Sequence, residues 1–315
     1  MTLRLTVRRD DWLRHVSDTA RQFGDVVPVV KGNGYGFTRN ALIHHAISMA
    51  RQIAVGTVFE ASDVPNTHDA LVLTPLITPH TPIPANAILS VGSMAHVDAL
   101  VASGFTGRVL IKLRSSMMRF GATRDELPDL VRRVNEVGLQ HVGWSIHPPL
   151  PQDHLDHAAE VGAAIAHLPD SLPIYVSHLS ASSLSQLRSA HPGRKLVMRS
   201  GTHLWLGDKS MVDLSADVLD VHHGVSGTAG YRLNPLPEAG TIVIVGAGTA
   251  HGVNVLANEQ SPFHFQRRRL TLLEAPHMHS SMLVVPHGES APRVGEFVDV
   301  QQPMTRVTVD TIDWV

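Results

Sequence analysis

Short apolar segments recur along the first two thirds of the chain, separated by segments whose apolar residues follow a helical period. Eight of the apolar segments have the length and flanking turns of buried parallel strands. They span residues 26–30, 52–58, 70–75, 87–92, 108–113, 141–147, 173–179 and 195–201. Helical spacing covers residues 38–51, 94–103, 123–138 and 156–168. Eight strands alternating with helices predict an α/β fold of the (β/α)8, or TIM-barrel, type.

The pattern changes after about residue 215. Helical periodicity fades, and strand-like runs are separated by Gly, Pro and Asn turns. These runs lie at 241–248, 268–275, 281–288, 296–300 and 306–310. They are typical of a small β domain. We therefore predict a (β/α)8 barrel domain over residues 1–215 and a C-terminal, barrel-like β-strand domain over residues 216–315.

Composition narrows the classes of partner and site. The chain has 315 residues, no cysteine and a formal net charge of -2. This balance does not favour a nucleic-acid partner, and the lack of cysteine excludes disulfides and thiolate metal sites. The first residues contain no apolar signal core, and no run reaches membrane-spanning length, so we expect a cytoplasmic protein without a membrane partner. The 21 histidines are either ordinary surface residues or acid–base and metal groups.

A single lysine follows directly on the first apolar run, in the sequence VVPVVKGNGYGF at 26–37. Functional groups of such barrels lie at the C-terminal ends of the strands, which places Lys31 at the mouth of the barrel. A partly buried lysine has a lowered pKa and can form a Schiff base with an aldehyde. From these residues alone, an ordinary lysine at a strand end is the alternative.

The segment VVKGNGYGF resembles the lysine signature of the alanine racemase family, and five further segments resemble motifs of that family in the same order. They are VGTVFEA (55–61), KLRSSMMRFGA (112–122), GWSIH (143–147), HLSASS (178–183) and RSGTHLWLG (199–207). Members of the family are fold-type III pyridoxal 5'-phosphate (PLP) enzymes that pair a (β/α)8 barrel with a C-terminal β domain. The resemblance therefore implies PLP as the cofactor.

The resemblance also implies roles for individual residues. Lys31 would be the Schiff-base lysine and one acid–base group at the substrate Cα. The implied cofactor-binding residues are Lys31, Tyr35, Arg119, His147, Ser182, Arg199, Gly201 and Thr202. Among them, Tyr35, Ser182 and the backbone around Gly201 and Thr202 would bind the phosphate. Lys112 would support Arg119.

Arg199 matches the arginine that faces the pyridine nitrogen of the cofactor in this family. Because an arginine stays charged, it would keep that nitrogen unprotonated. Such electronics favour rapid reprotonation of the carbanion, as in a racemase, over transamination.

Racemisation by two bases requires an acid–base group on each face of the substrate Cα. The family's second base is a tyrosine in a V-S-Y-G-A-T motif, and the corresponding segment here is GVSGTAGYRL (224–233). Glycine or serine stands where the tyrosine belongs, and Tyr231 follows nearby. Tyr231, His251 and His223 are the candidates, and we take Lys31, Tyr231 and His251 as the predicted catalytic residues.

The resemblance implies a PLP-dependent racemase or epimerase acting on an amino acid or its derivative, in a homodimer with shared active sites. One alternative is a lyase like D-threonine aldolase or D-serine dehydratase. The metal-site pattern of those enzymes is only partly matched, since Met304, Thr305 and Arg306 stand at ligand positions and leave His277 and His279. We predict no metal. The other alternative is a PLP-binding homologue that has lost catalysis.

Overall fold

The structure is a computed structural model that describes residues 2–169 and 171–315. Two compact units divide the chain. The first, called here the barrel unit, comprises His15–Gly32 and Arg39–Gly207. The second, called the β unit, comprises Met1–Arg14, Asn33–Thr38 and Asp208–Val315. Among the described residues, no helix is both long and apolar enough to cross a membrane.

Eight parallel strands form the sheet of the barrel unit. They are Val26–Pro28, Gln52–Val55, Asp69–Val72, Ala87–Val91, Arg108–Lys112, Gln140–Ser145, Ile174–Val176 and Leu196–Ser200. Each strand pairs with the next along the chain, the first pairs with the last, and a bridge between Val29 and Ala54 closes the ring. The predicted (β/α)8 barrel and its eight strands are confirmed.

The continuous apolar runs reflect burial of both strand faces, as is usual for a parallel sheet covered by helices. Ala87–Val91 and Leu196–Ser200, for example, are buried at every residue. Alternate side chains of the strands fill the interior. This cluster contains Val27, Val29, Ala54, Leu71, Ile88, Leu110, Tyr175 and Val197. The barrel is therefore a packed core, and its functional groups lie at its ends.

Helices accompany the strands in the described part of the chain. Their bounds are Arg9–Phe23, Arg39–Ala46, Met94–Ala102, Leu127–Glu136, His157–Ile165, Ala181–Ala190 and Thr202–Leu206. The four predicted helices are confirmed, each shorter than its sequence pattern. Arg9–Phe23, Ala181–Ala190 and the short Thr202–Leu206 were not predicted. Ser180 caps the N-terminus of Ala181–Ala190, since its Oγ accepts a hydrogen bond from the Ser183 N–H at 3.0 Å. The serine-rich first turn of this helix makes its apolar period hard to recognise in the sequence.

The β unit is built on one sheet with a long antiparallel ribbon at its centre. Its strands are Leu3–Val7, Val212–Ala229, Asn234–Val245, Phe263–Phe265, Arg268–Arg269, Thr271–Leu272, Ser281–Pro286, Phe297–Val300 and Thr311–Trp314. The predicted C-terminal β domain is confirmed. The strand predicted over 306–310 is wrong: this segment is the end of a 3-10 turn followed by extended chain. Val307 and Val309 are buried and alternate with exposed polar residues, as in a strand, but the segment pairs with no strand as a ladder.

Two N-terminal segments group with the C-terminal residues in the β unit. Leu3–Val7 pairs antiparallel with the start of Val212–Ala229 and parallel with Thr311–Trp314. The rings of Trp12, Phe37 and Trp314 pack together, with centroid distances of 5.2–6.3 Å. The units therefore differ in content from the predicted ranges 1–215 and 216–315, because these partners come from distant parts of the chain.

Two buried tryptophans of the barrel unit differ in one hydrogen bond. Trp205 Nε1 donates to the Val29 carbonyl at 2.8 Å, whereas Trp144 Nε1 has no partner among the described residues. We expect Trp205→Phe to destabilise the protein by about 1–3 kcal/mol more than Trp144→Phe, because it orphans a buried carbonyl. Denaturant titration of both variants measures this difference. Equal losses would contradict it.

Candidate active site

Lys31 lies at the C-terminal end of the first barrel strand. The preceding residue, Val30, donates its N–H to the Ala54 carbonyl at 2.7 Å, which fixes the lysine beside the end of the second strand. Lys31 keeps part of its surface in contact with solvent, while its amine is surrounded by enough protein atoms to be partly desolvated. A Cβ on Gly56 would lie 3.3 Å from the Lys31 Cβ, so a glycine at 56 gives the lysine its space. The predicted position of Lys31 at the barrel mouth agrees with this geometry.

Four basic side chains of the barrel unit lie close enough to influence one another's charge: Lys31, Lys112, Arg119 and Arg199. Burial lowers the pKa of Lys31, and the charges of Arg119 and Arg199 lower it further. Burial, followed by Arg199, Arg119 and Lys31, lowers the pKa of Lys112 to about 6. The carboxylate of Glu60 has the opposite effect and raises the pKa of Lys31. Excess positive charge of this kind favours an anionic ligand.

Arg199 belongs to the last barrel strand and is only 4% exposed. Its Nη2 donates to the Ile146 carbonyl at 2.8 Å, while its Nε has no partner among the described residues. Burial and the charge of Arg119 lower its pKa to about 10, so the guanidinium remains charged at neutral pH. A buried donor on a charged group is costly unless an acceptor meets it. The site therefore offers an N–H to a ligand.

The loop after the fifth barrel strand folds back on the strand end. Leu113 and Ala122 form a bridge, and the Ala122 N–H donates to the Lys112 carbonyl at 2.8 Å. The fold of this loop places Phe120 between two cations. Its ring centroid lies 5.0 Å from the Lys112 Nζ and 4.7 Å from the Arg119 Cζ, which are cation–π distances. Phe120 was not predicted as a site residue; its position beside Arg119 in the quoted motif was the available signal.

His147 follows the sixth strand, and its ring packs on that of His178 at a centroid distance of 4.4 Å. Burial first, and then the charge of Arg199, hold the pKa of His147 far below its usual range, so the ring is neutral. His178 Nδ1 lies 2.8 Å from the Pro149 carbonyl and 3.0 Å from that of Pro148, which fixes the protonated nitrogen. His178 was not predicted, although it opens the HLSASS motif.

Three of the predicted phosphate-binding residues, Ser182, Gly201 and Thr202, follow the last two barrel strands, which are neighbours in the sheet. Ser182 is exposed in the first turn of helix Ala181–Ala190, with its Oγ 2.9 Å from that of Ser180. Gly201 precedes helix Thr202–Leu206, and Thr202 is exposed. Ends of adjacent parallel strands share one edge of a sheet, so these hydroxyls and helix starts lie on the same side as Lys31.

Three predicted site residues belong to the β unit. Tyr35 is buried in the turn Gly34–Gly36, with a φ of 56°. Tyr231 lies in the turn between the two long strands and is 84% exposed; its ring packs on His277 at 4.3 Å. His251 is only 6% exposed, and its Nε2 lies 3.2 Å from the Asp310 carboxylate while its Nδ1 accepts from the Gly248 N–H. The roles of all three stay predictions.

The histidines singled out for a possible metal site have other contacts. His277 Nε2 lies 2.7 Å from Glu274 Oε1, and the ring of His279 faces that of His251 at a centroid distance of 5.9 Å. Residues 2–169 and 171–315 contain no group of three or more histidines and carboxylates placed to hold a metal ion.

A closed parallel barrel with a lysine at a strand end, joined to a separate β unit, defines a class of two-domain barrel proteins. The sequence model of the alanine racemase N-terminal domain matches residues 9–208. The chain belongs to the alanine racemase N-terminal domain family.

Solved structures support the same fold. The chain is similar to alanine racemase from Bartonella henselae with covalently bound pyridoxal phosphate (16% identity, TM-score 0.75, 100% of each chain covered). It is also similar to alanine racemases from E. faecalis (19%, TM-score 0.73, 99% and 98% covered) and from Acinetobacter baumannii (15%, TM-score 0.69, 100% and 99% covered). No curated protein sequence matches this chain significantly. At these identities the likeness to solved structures concerns the fold.

The lowered pKa of Lys112 gives a stability prediction. Between a folded pKa of about 6 and an ordinary value of 10.5, the unfolded chain binds more protons, so stability rises with pH across that window. Replacing Lys112 by methionine removes the group and should flatten the rise. Denaturant midpoints of the cofactor-free protein between about pH 6 and pH 9 test this. Lys195→Met, at an exposed position, is the control and should keep the wild-type slope.

Proposed function

We propose that this protein is a PLP-dependent amino-acid racemase or epimerase in which Lys31 holds the cofactor. The observation that carries the proposal is the pairing of an accessible amine of lowered pKa with a buried guanidinium that has a free N–H. A Schiff base requires a neutral amine, and the lowered pKa of Lys31 increases that fraction at neutral pH. Family membership supports the same assignment.

The residues present fit PLP on chemical grounds. The orphaned Nε–H of Arg199 matches an acceptor such as a pyridine nitrogen, and the positive charge of Arg119 beside Lys31 suits the ring oxygen. The hydroxyl of Ser182 and the backbone N–H groups after Gly201 suit the phosphate. When bound, PLP supplies an electron sink for the negative charge that forms at the substrate Cα.

The electrostatics of Arg199 favour racemisation within this proposal. A guanidinium with a pKa of about 10 remains a donor at neutral pH, so an acceptor nitrogen opposite it stays unprotonated. Charge that forms at the substrate then remains concentrated near Cα, where it is quickly reprotonated. Lys31 would move that proton on one face of the substrate Cα.

Tyr231 is the favoured candidate for the second face. An acid–base group must be accessible to the substrate, and Tyr231 is exposed while His251 is buried against Asp310. His223 is also exposed, with its Nδ1 3.2 Å from Thr241 Oγ1. We further propose a homodimer whose active sites are shared between subunits, with an amino acid or an amino-acid derivative as the substrate. The cytoplasmic location stays a prediction.

Lys31→Ala should abolish covalent attachment of PLP, because it removes the amine that forms the bond. Borohydride reduction followed by peptide mapping measures attachment. Lys195→Met is the matched control and should attach PLP normally, since Lys195 is an exposed residue before the last barrel strand. Attachment to the Lys31→Ala protein at another lysine with wild-type stoichiometry would overturn the site.

A screen of D- and L-amino acids for exchange of solvent deuterium into Cα tests the activity itself. A racemase exchanges deuterium with loss of optical purity. Formation of a keto acid or an aldehyde would instead indicate a lyase. PLP attachment with no exchange for any amino acid would indicate a binding protein without catalysis.

Tyr231→Phe should suppress exchange from one enantiomer far more than from the other, by about 10²–10⁴-fold, because it removes a proton-transfer group from one face. Single-turnover deuterium exchange, started separately from each enantiomer, gives the two rates. Phe59→Leu, at an exposed position of the barrel unit, is the control and should leave their ratio unchanged. Equal suppression of both enantiomers by Tyr231→Phe would argue against a role on one face.

A further inference from the structure

The first and second barrel strands meet at the closure of the sheet, where their pairing is short. Val29 bridges Ala54, and the Val30 N–H donates to the Ala54 carbonyl. Beyond that point a side chain joins the two strand ends. The Gly32 N–H donates to Glu60 Oε1 at 3.1 Å, and the Gly56 N–H donates to Glu60 Oε2 at 2.7 Å. One carboxylate therefore continues the closure past the last backbone hydrogen bond.

Glycine at position 56 makes this arrangement possible. A Cβ there would lie 2.9 Å from Glu60 Oε2 and 3.3 Å from the Lys31 Cβ, which is too close for both neighbours. Glu60 itself is half-buried in the 3-10 segment Val58–Asp63, four residues after Gly56. Its carboxylate thus lies within reach of two backbone N–H groups, that of Gly32 directly after Lys31 and that of Gly56 at the end of the second strand.

The residue after the lysine is held from two directions. While its N–H donates to Glu60, the Gly32 carbonyl accepts from Arg39 Nη1 at 2.8 Å, and Arg39 Nε pairs with Asp63 at 2.6 Å. Gly32 has a φ of 59°, in the left-handed region, so these bonds fix a conformation that the backbone alone holds weakly. The direction in which Lys31 leaves the strand depends on this conformation.

The charges around Lys31 give Glu60 a second effect. The charges of Arg119 and Arg199 lower the pKa of the Lys31 amine, and the negative charge of Glu60 raises it. The nearby Arg39 is paired with Asp63 and also lies within the field of Glu60. An anion beside an amine favours its charged form.

We propose that Glu60 is a positioning residue for Lys31: its carboxylate ties the residue after the lysine to the end of the second barrel strand, and its negative charge acts on the amine. This inference rests on the proposed function, since it assumes that Lys31 reacts with PLP. Glu60 acts through Lys31 and its backbone, without a contact to the reacting atoms.

The test measures attachment of PLP to the cofactor-free protein and requires no turnover. Wild type and the variants Glu60→Gln, Glu60→Asp and Asp69→Asn are mixed with PLP across a pH series, trapped with borohydride and mapped at Lys31. Asp69 pairs with Arg108 at the opposite end of the barrel, at 2.9 Å, so Asp69→Asn controls for loss of a barrel carboxylate. Each profile gives a maximal rate and a pH midpoint.

We expect Glu60→Gln to lower the midpoint by about one pH unit, because the anion that favours the charged amine is lost. Glu60→Asp keeps the charge and should keep the wild-type midpoint, with a lower maximal rate because the shorter side chain cannot span both N–H groups. Asp69→Asn should match wild type in both quantities.

A wild-type midpoint and rate in Glu60→Gln would overturn the inference. If Glu60→Gln does not fold, as judged by circular dichroism, Glu60→Asp decides: a wild-type rate overturns the spanning role, and a reduced rate at the wild-type midpoint supports it. Absence of PLP at Lys31 in the wild-type protein is a different outcome, because it rejects the proposed function itself.

Discussion

Closure of the parallel sheet at Val29 and Ala54 is the constraint on which the site depends. A parallel barrel has no free edge once the last gap in its sheet, here between the first and second strands, is closed, and the C-terminal ends of all strands then lie at one end of the barrel. Lys31 follows the closing residues directly, so its place at that end is set by the backbone rather than by the lysine itself. The Trp205 indole donates a hydrogen bond to the Val29 carbonyl at the same strand end. A few residues where the barrel closes therefore pair the strands, pack against Trp205 and position Lys31.

The buried basic groups at the C-terminal end of the barrel lower the stability of the folded protein when no ligand is bound. Lys112 and Arg199 are both nearly inaccessible to water, and the charge of Arg199 disfavours the charged form of Lys112. Apolar residues of similar size would pack there without this penalty. A bound anion would relieve the repulsion between these basic groups. We therefore expect binding of such a ligand to stabilise the folded protein as well as to complete its chemistry.

Much of the fold could be predicted because buried parallel strands leave long apolar runs in the sequence. The helix Arg9–Phe23 escaped prediction because most of its residues are polar, although its few buried side chains share one face. The ribbon strand Val212–Ala229 escaped because its second half is largely exposed, so apolar and polar residues do not alternate there. For the site, the motif around Lys31 was enough to locate the lysine. Phe120 and Glu60 lay within quoted motifs but gained meaning only from distances, since contacts to a ring face or to two backbone N–H groups leave no pattern in the sequence.

The composition of the two units has a consequence for engineering the chain. The segment Asn33–Thr38 belongs to the β unit, yet it begins two residues after Lys31, and the first fourteen residues belong to the β unit as well. The β unit is therefore not a contiguous module that can be exchanged by a single cut near residue 208. A chimera that grafts only the C-terminal part would separate Trp314 from Trp12 and Phe37. Exchange of the β unit between relatives would require all three of its chain segments to be exchanged together. The segment Asn33–Thr38, close to Lys31 in the chain, would be among them.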